Sequence, residues 1–276
     1  EKVGNIFNFT NYVNIEIKDF KEIFYATNQS FIFFLNNITD KFFVKLTLGN
    51  SFLSIYSVPQ QIAAKSTILI TAISTVFFPK ISKTRTTNRK KAYLKYVIRI
   101  TIFITGYLSF CSFLFIEPII KFWLSESYLE IYSVLIKIFL FYSFFASANY
   151  LISQYIDSQK SIKSNTLIDI SFFVLSLILY VVSMKFEILT FFAASICLRE
   201  VFLFMYKSYH FNLISILKDE IKSIIIFSFF LISGIFIINI YFYIFSIVLL
   251  TIYLLFFFKI KNIYLSFKNI INRFYE

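Results

Sequence analysis

The sequence predicts an all-α protein: a polytopic transmembrane helix bundle of about eight spans with both termini in the cytoplasm. Three observations support this fold class. First, 58% of the 276 residues are hydrophobic and only 15% are charged, and the mean hydropathy is +0.75, which is too apolar for a water-soluble domain. Second, apolar segments of span length recur along the whole chain. Third, basic residues are concentrated in every second loop.

Eight segments have the length and composition of membrane spans. They cover about residues 28–48, 56–79, 97–117, 131–153, 165–184, 187–206, 222–239 and 242–258. Residues 14–27, before the first span, carry apolar side chains at three- and four-residue spacing. This segment is either a helix lying on the membrane surface or the solvated start of the first span.

The orientation follows from the short loops. Residues 80–99 contain many Lys and Arg and no Asp or Glu, whereas the next loop, after residue 117, is richer in Glu. Because basic loops stay in the cytoplasm, this pattern places both termini inside. It also accounts for the net charge of +12, so we expect contact with anionic membrane lipids and no nucleic-acid binding.

The sequence contains no motif of a known catalytic or nucleotide-binding site. It has no Walker loop, no GxGxxG, no GxSxG and no zinc-ligand spacing. The loops are also too short to hold a soluble catalytic domain. We therefore expect a protein that is not an enzyme and that needs no cofactor and no metal.

The most informative stretch is residues 30–49, SFIFFLNNITDKFFVKLTLG, because charged residues occur inside an apolar span. On a helical wheel one half is apolar, and the other half carries Asn37, Asp40, Lys41 and Lys45. Charges inside a span are functional candidates by default. Lys41 and Lys45 are candidates to attract an anion, and Asp40 either pairs with them or takes up a proton. The alternative is an internal ion pair that only fixes the helix to its neighbours.

Other spans also carry polar residues, each with two readings. Lys65 lies at mid-depth of the second span and is a candidate substrate contact or a snorkelling side chain. Lys137 is a candidate functional residue or a side chain that snorkels to the outer surface. Asp169 is a candidate for ion coupling, although it also suits the positive end of its helix. Arg199, next to Glu200, is a candidate substrate contact or an internal ion pair.

Cations and an acid at mid-membrane suit a transporter for an anionic amphiphile. Buried cations offset the desolvation of a phosphate group, and a titratable carboxylate can couple transport to protons. The residues of the first two spans therefore predict a substrate site for an anion, together with an ion-coupling acid.

The run NNITDKFFVKLTLGNSFLSIYSVPQQIAAKSTILITAISTVFFPKIS resembles the start of the second half of Wzx-type O-antigen and polysaccharide flippases. These belong to the multidrug/oligosaccharidyl-lipid/polysaccharide exporter superfamily. The matching features are Asp40-Lys41 in the first span, the Leu48-Gly49 turn, Tyr56 at the entry of the second span, and Phe78-Pro79 before a basic loop. The resemblance covers residues 20–100, and beyond them only the order and orientation of spans.

The resemblance implies a bacterial inner-membrane, multi-pass protein that flips an undecaprenyl-pyrophosphate-linked repeat unit to the periplasmic leaflet by alternating access. It divides the chain into a cytoplasmic segment at 1–27, the second transmembrane lobe at 28–206, an added helix pair at 207–258 and a cytoplasmic tail at 259–276. The first lobe would then lie upstream, so we expect this chain to be a fragment. The expected partners of the protein are then the lipid-linked oligosaccharide and the polysaccharide polymerase machinery.

Two other functions remain open at this point, besides a purely structural membrane scaffold, which would leave Asp40, Lys41 and Lys65 unexplained. An O-antigen polymerase would be an enzyme from the same kind of gene cluster, but the longest outer loop is short for one. A drug or cation exporter of the same superfamily would bind its cargo through acids. The predicted interior has more lysines than acids, which favours an anionic cargo.

Overall fold

The computed structural model describes residues 17–84, 86–123 and 129–218, together with Lys222, Ile224, Ile225 and Ser228. Over these residues it consists of helices and connecting turns, without strands. The helices are α1 (Ile17–Leu48), α2 (Asn50–Lys83), α3 (Thr87–Trp123), α4 (Leu129–Ser158), α5 (Ile162–Met184) and α6 (Leu189–His210). The predicted all-α helix bundle is therefore confirmed for the described part of the chain.

Each of the first six predicted spans corresponds to one of these helices. The helices are longer than the spans because they continue beyond the apolar segments: α2 runs from Asn50 to Lys83, and α3 begins at Thr87. Four helices are long and apolar enough to cross a membrane, namely α2, α4 from Ile131, α5 and α6. The predicted spans 222–239 and 242–258 lie outside the described residues apart from four isolated positions.

Helix α1 is continuous from Ile17 to Leu48. Residues 17–27 therefore belong to the same helix as the first predicted span. A single residue, Gly49, joins α1 to α2 with a φ of 91°. This is a conformation that only glycine adopts readily, so the sharp reversal between the two helices depends on it.

The helices alternate in direction, so one end of the bundle contains the starts of α1, α3 and α5 and the ends of α2, α4 and α6. Lys90, near the start of α3, donates a hydrogen bond to the carbonyl of Ser158 at the end of α4 (2.8 Å). Thr166 of α5 is 3.3 Å from the carbonyl oxygen of Tyr25 in α1. We call this end the basic end, because the Lys- and Arg-rich segment 80–99 lies there, and the opposite end the far end.

Helix α4 lies at the centre and packs against α2, α3 and α6. It contributes to both hydrophobic cores: Leu135 and Phe139 to one, and Phe144 and Ile152 to the other. Helix α5, in contrast, exposes large apolar side chains such as Ile178. This is the expected surface of a helix that faces lipid, so the position of α4 defines the interior of the bundle.

The structure places Lys137 differently from the outward snorkelling considered above. Its side chain is only 3% exposed, and its Nζ lies 3.6 Å from Oε1 of Glu117 on α3. Glu117 is the more accessible partner of this ion pair, with 39% of its side chain exposed. Lys137 is therefore an interhelical contact of α4.

Candidate functional site

A polar cleft lies between α1, α4, α5 and α6, with a cavity volume of about 410 Å³. Ligand cavities in proteins commonly fall between about 300 and 1,000 Å³. The polar side chains that line the cleft are amides, hydroxyls and charged groups. They include Gln29, Asn36 and Asn37 of α1; Tyr142, Asn149, Ser153 and Asp157 of α4; Asp169 of α5; and Arg199, Glu200 and Lys207 of α6.

The deepest part of the polar cleft is a hydrogen-bond network around Arg199 and Glu200. Arg199 donates from Nε and Nη2 to Oε1 of Glu200 (3.2 and 2.5 Å) and from Nη1 to Oδ1 of Asn36. Asn149 donates from Nδ2 to Oε2 of Glu200 (2.6 Å). Arg199 and Glu200 are both buried. With 1.5 Å of rise per residue, Arg199 lies about 16 Å inside the end of α6 at His210.

A second network lies nearer the basic end. Lys207 Nζ is 2.6 Å from Oδ1 of Asp169 and donates to the hydroxyl of Ser153 (2.7 Å). Gln29 Nε2 is 3.4 Å from Oδ2 of Asp169. Together these contacts connect α1, α4, α5 and α6, so every helix that borders the cleft is tied to another by a polar side chain.

The charges of the polar cleft are nearly balanced, with a small excess of acid. Asp157, Asp169 and Glu200 line it, against Arg199 and Lys207. The expectation that the interior holds more lysines than acids is therefore wrong for this cleft. Each acid has at least one hydrogen-bond or ion-pair partner, including Asp157, which accepts from Asn165 (2.9 Å). Buried charges of this kind are tolerated because they are paired.

Three of the residues predicted from the sequence as site residues meet in the polar cleft: Asn37, Arg199 and Asp169. Lys41 and Lys45 do not line it; Lys41 is half-buried and Lys45 is exposed. Lys65 lines a different cavity, between α2, α3 and α4. The predicted substrate residues are thus distributed over three places, and their roles stay predictions.

Asp40 is fully buried and faces α2. Its Oδ2 accepts a hydrogen bond from Nε2 of Gln60 (2.7 Å), a partner that the helical wheel of the first span does not show. Its Oδ1, the Oε1 of Gln60 and the hydroxyl of Tyr56 are buried without a hydrogen bond. Asp40 therefore lies in a small polar pocket inside the α1–α2 hairpin, separate from the polar cleft.

Sequence reasoning missed several residues of the cleft. Lys207 lies one residue beyond the sixth predicted span, but it belongs to α6 and is only 1% exposed. On α4, polar residues recur at Asn149, Ser153 and Asp157, at intervals of four. This spacing places them on one face of a helix. A helical wheel of the fourth span extended to residue 157, like the wheel used for the first span, would have shown this face.

Comparison with known proteins gives one family. Residues 7–133 match a polysaccharide biosynthesis protein family. This match agrees with the resemblance seen in the sequence. The four helices that are long and apolar enough to cross a membrane indicate a membrane protein. The matched residues include α1, α2 and α3 and thus the Gln29, Asn36 and Asn37 wall of the polar cleft. Neither the curated proteins nor the solved structures give a match.

Proposed function

We propose that the protein moves a lipid-linked polysaccharide repeat unit from the cytoplasmic to the periplasmic leaflet of a bacterial inner membrane by alternating access. The observation that carries this proposal is the polar cleft of about 410 Å³ within the helix bundle of a chain whose residues 7–133 match a polysaccharide biosynthesis protein family. A hydrophilic head group can cross the hydrocarbon core only where side chains replace its water. The proposed activity is transport and involves no covalent step.

The polar cleft suits a sugar head group. Sugars present many hydroxyl groups, each of which donates and accepts hydrogen bonds, and amide side chains such as Asn37 offer both functions at one position. Tyr142 and Tyr150 add aromatic faces to the lining. Because each charged residue has a partner within the protein, the cleft does not require a charged sugar. It would therefore accept the glycan part of the cargo.

The pyrophosphate of the cargo requires cations outside this balanced network. Lys41 and Lys45 lie on α1, one turn apart and nearer its far end than the residues of the cleft. Within the described residues, Lys45 forms no ion pair. We infer that these two lysines meet the phosphate groups while the glycan occupies the polar cleft.

Ion coupling is assigned to Asp40, with Asp169 as the second candidate. Asp40 is buried with an oxygen that lacks a hydrogen bond, so this oxygen can take up a proton without breaking an existing hydrogen bond. Asp169 already pairs with Lys207, which favours a role in holding the helices together. The first lobe implied by the resemblance would supply the opposite wall of the transport path.

The excess of acid in the polar cleft supports one other function. Three acids against two bases would favour a cationic cargo, as in a drug exporter of the same superfamily. This alternative predicts that lipid-linked repeat units distribute normally without the protein, while a lipophilic cation accumulates in the cell.

The test is a leaflet-resolved measurement of lipid-linked repeat units in cells that lack the full-length gene. We expect the units to accumulate in the inner leaflet and wild-type protein to relieve the accumulation. A normal distribution in the deletion strain would refute the proposed function. If unpolymerised units reached the outer face, a polymerase would be the better description.

The chain offers a matched pair of variants for this assay. Asn37 and Asn28 both lie on α1, and each donates to the carbonyl four residues earlier, at 3.0 and 2.9 Å. Asn37 lines the polar cleft and Asn28 does not. Because each substitution removes the same kind of hydrogen bond within the helix, Asn28→Ala controls for structure. We expect Asn37→Ala to lower flipping about tenfold, the equivalent of one hydrogen bond to the cargo, and Asn28→Ala to leave it unchanged.

A further inference from the structure

A second cavity, of about 450 Å³, lies between α2, α3 and α4. It shares no lining residue with the polar cleft. Its walls are mainly aliphatic, with Ile62 and Leu69 from α2, Ile116 and Ile119 from α3, and Ile136 and Leu140 from α4. We call it the apolar groove. A cavity with these walls holds hydrocarbon more readily than water.

Lys65 is the one charged residue among the described residues that line the apolar groove. It is exposed and forms no ion pair with any described residue. No acid is present among these lining residues to neutralise it. A cation against aliphatic walls favours an anion that arrives with its own apolar chain.

The position of Lys65 shows how such a molecule would lie. The hydroxyl of Ser66 donates to that of Ser143 (3.0 Å), which sets this part of α2 beside the middle of α4. From this level the groove extends along α4 to Tyr132, a distance of about 16 Å toward the far end. The cation is therefore near mid-membrane, and most of the aliphatic walls lie between it and the far end, with Leu69 on its other side.

We propose that the apolar groove binds the phosphorylated hydrocarbon chain of the lipid carrier, with Lys65 on its phosphate at the stage of transport when that phosphate is at mid-membrane. This inference rests on the proposed function, and it adds a site for the lipid part of the cargo. A carrier whose head group enters from the basic end has its chain directed toward the far end. When the phosphate reaches mid-membrane, the chain therefore lies where the groove is.

A resident membrane phospholipid fits this geometry less well. Its phosphate stays at the membrane surface, about 15 Å from the middle of the hydrocarbon core. Lys65, on α2, lies beside the middle of α4, and its side chain would have to extend over most of that distance to contact the phosphate. A lipid phosphate that crosses the membrane passes the level of Lys65, so the carrier lipid is the occupant that both the charge and the depth favour.

The experiment is photo-crosslinking of tritiated polyprenyl phosphate to the full-length protein in lipid nanodiscs. The photoreactive residue p-benzoylphenylalanine replaces Ile119 in the apolar groove or, as the matched control, Ile178 on α5. The two isoleucines are exposed to a similar extent, 52% and 56%, but only Ile119 lines the groove. We expect labelling at Ile119 that unlabelled polyprenyl phosphate removes, and only background labelling at Ile178.

The role of Lys65 is tested in the same assay. Lys65→Gln should reduce labelling at Ile119 about tenfold, and Lys65→Arg should retain it, since loss of a charge-assisted contact costs about 1.5 kcal/mol. Equal labelling at both positions, or no effect of Lys65→Gln, would overturn the proposal. Equal competition by phosphatidylglycerol would also overturn it, because the groove would then hold a bilayer lipid.

The readout separates this proposal from the proposed function. Crosslinking detects binding and needs no transport. If labelling depends on Lys65 but deletion of the gene leaves the repeat units normally distributed, the lipid site is supported and the flippase function is refuted. Accumulation of repeat units together with background labelling would do the reverse.

Discussion

The pair formed by Arg199 and Glu200 allows a quantitative test of the polar cleft. Both residues are buried, and Arg199 makes two hydrogen bonds to the carboxylate of Glu200. Asn36 and Asn149 complete the network on either side. Replacing one charged partner by Gln leaves the other charge buried with a single amide contact, whereas replacing both leaves two neutral side chains.

The expected magnitudes follow from the cost of an unpaired buried charge. Removing one partner of a buried ion pair costs about 3 to 5 kcal/mol, so we expect Arg199→Gln and Glu200→Gln each to lower the free energy of unfolding by about 3 kcal/mol. The double variant contains no unpaired charge and should also lose about 3 kcal/mol in total. The two residues are then coupled by about 3 kcal/mol, at the upper end of measured couplings.

The assay is reversible unfolding of the purified protein in mixed micelles, followed by tryptophan fluorescence or helix content. A suitable comparison is the pair of Lys137 and Glu117, because Glu117 is 39% exposed and a pair with one solvated partner should couple more weakly than one in which both partners are buried. If the double variant of Arg199 and Glu200 lost about 6 kcal/mol, the two effects would be additive. The network described for the cleft would then be wrong.

Three other changes test separate features. Gly49→Ala should cost about 1 to 3 kcal/mol of unfolding free energy because of its positive φ, although the added Cβ meets nothing within 4 Å; an unchanged free energy would show that the turn can relax. Lys207→Met should lose about 3 kcal/mol because it leaves Asp169 unpaired, and the further change Asp169→Asn should recover most of this loss; without recovery the pairing is wrong. Asp40→Asn keeps an oxygen opposite Gln60 and should change the free energy by less than about 1 kcal/mol. In vesicles it should make flipping independent of the proton gradient, and a remaining dependence would exclude Asp40 as the coupling acid.

The helices could be predicted from the sequence because each span is a long apolar segment with a recognisable period. Their ends could not, since helices continue beyond the hydrocarbon core wherever polar side chains are also compatible with helix. Lys207 shows the consequence. A lysine one residue beyond a predicted span resembles a loop residue, yet it is buried and bound to Asp169. Only the packing of α6 against α4 and α5 distinguishes the two cases.

The candidate site was predicted in part. Arg199, Asn37 and Asp169 were identified because polar residues inside spans are unusual, and they do meet in one cleft. The partner of Asp40 could not be found in the same way. A helical wheel shows which residues share a face, but the partner across a hairpin depends on the geometry of the turn. Gly49 sets that register and brings Gln60, rather than a lysine, to the carboxylate.

The polar character of α1 has a consequence for the biogenesis of the protein. Helix α1 is not among the four helices that are long and apolar enough to cross a membrane, and Asp40, Lys41 and Lys45 each oppose its transfer from the translocon into lipid by up to about 3 kcal/mol. Because only Gly49 connects the two helices, α1 cannot remain in water while α2 inserts into the membrane. We therefore expect the two helices to insert as a preformed hairpin, in which Gln60 shields the carboxylate of Asp40 from lipid before the rest of the bundle assembles.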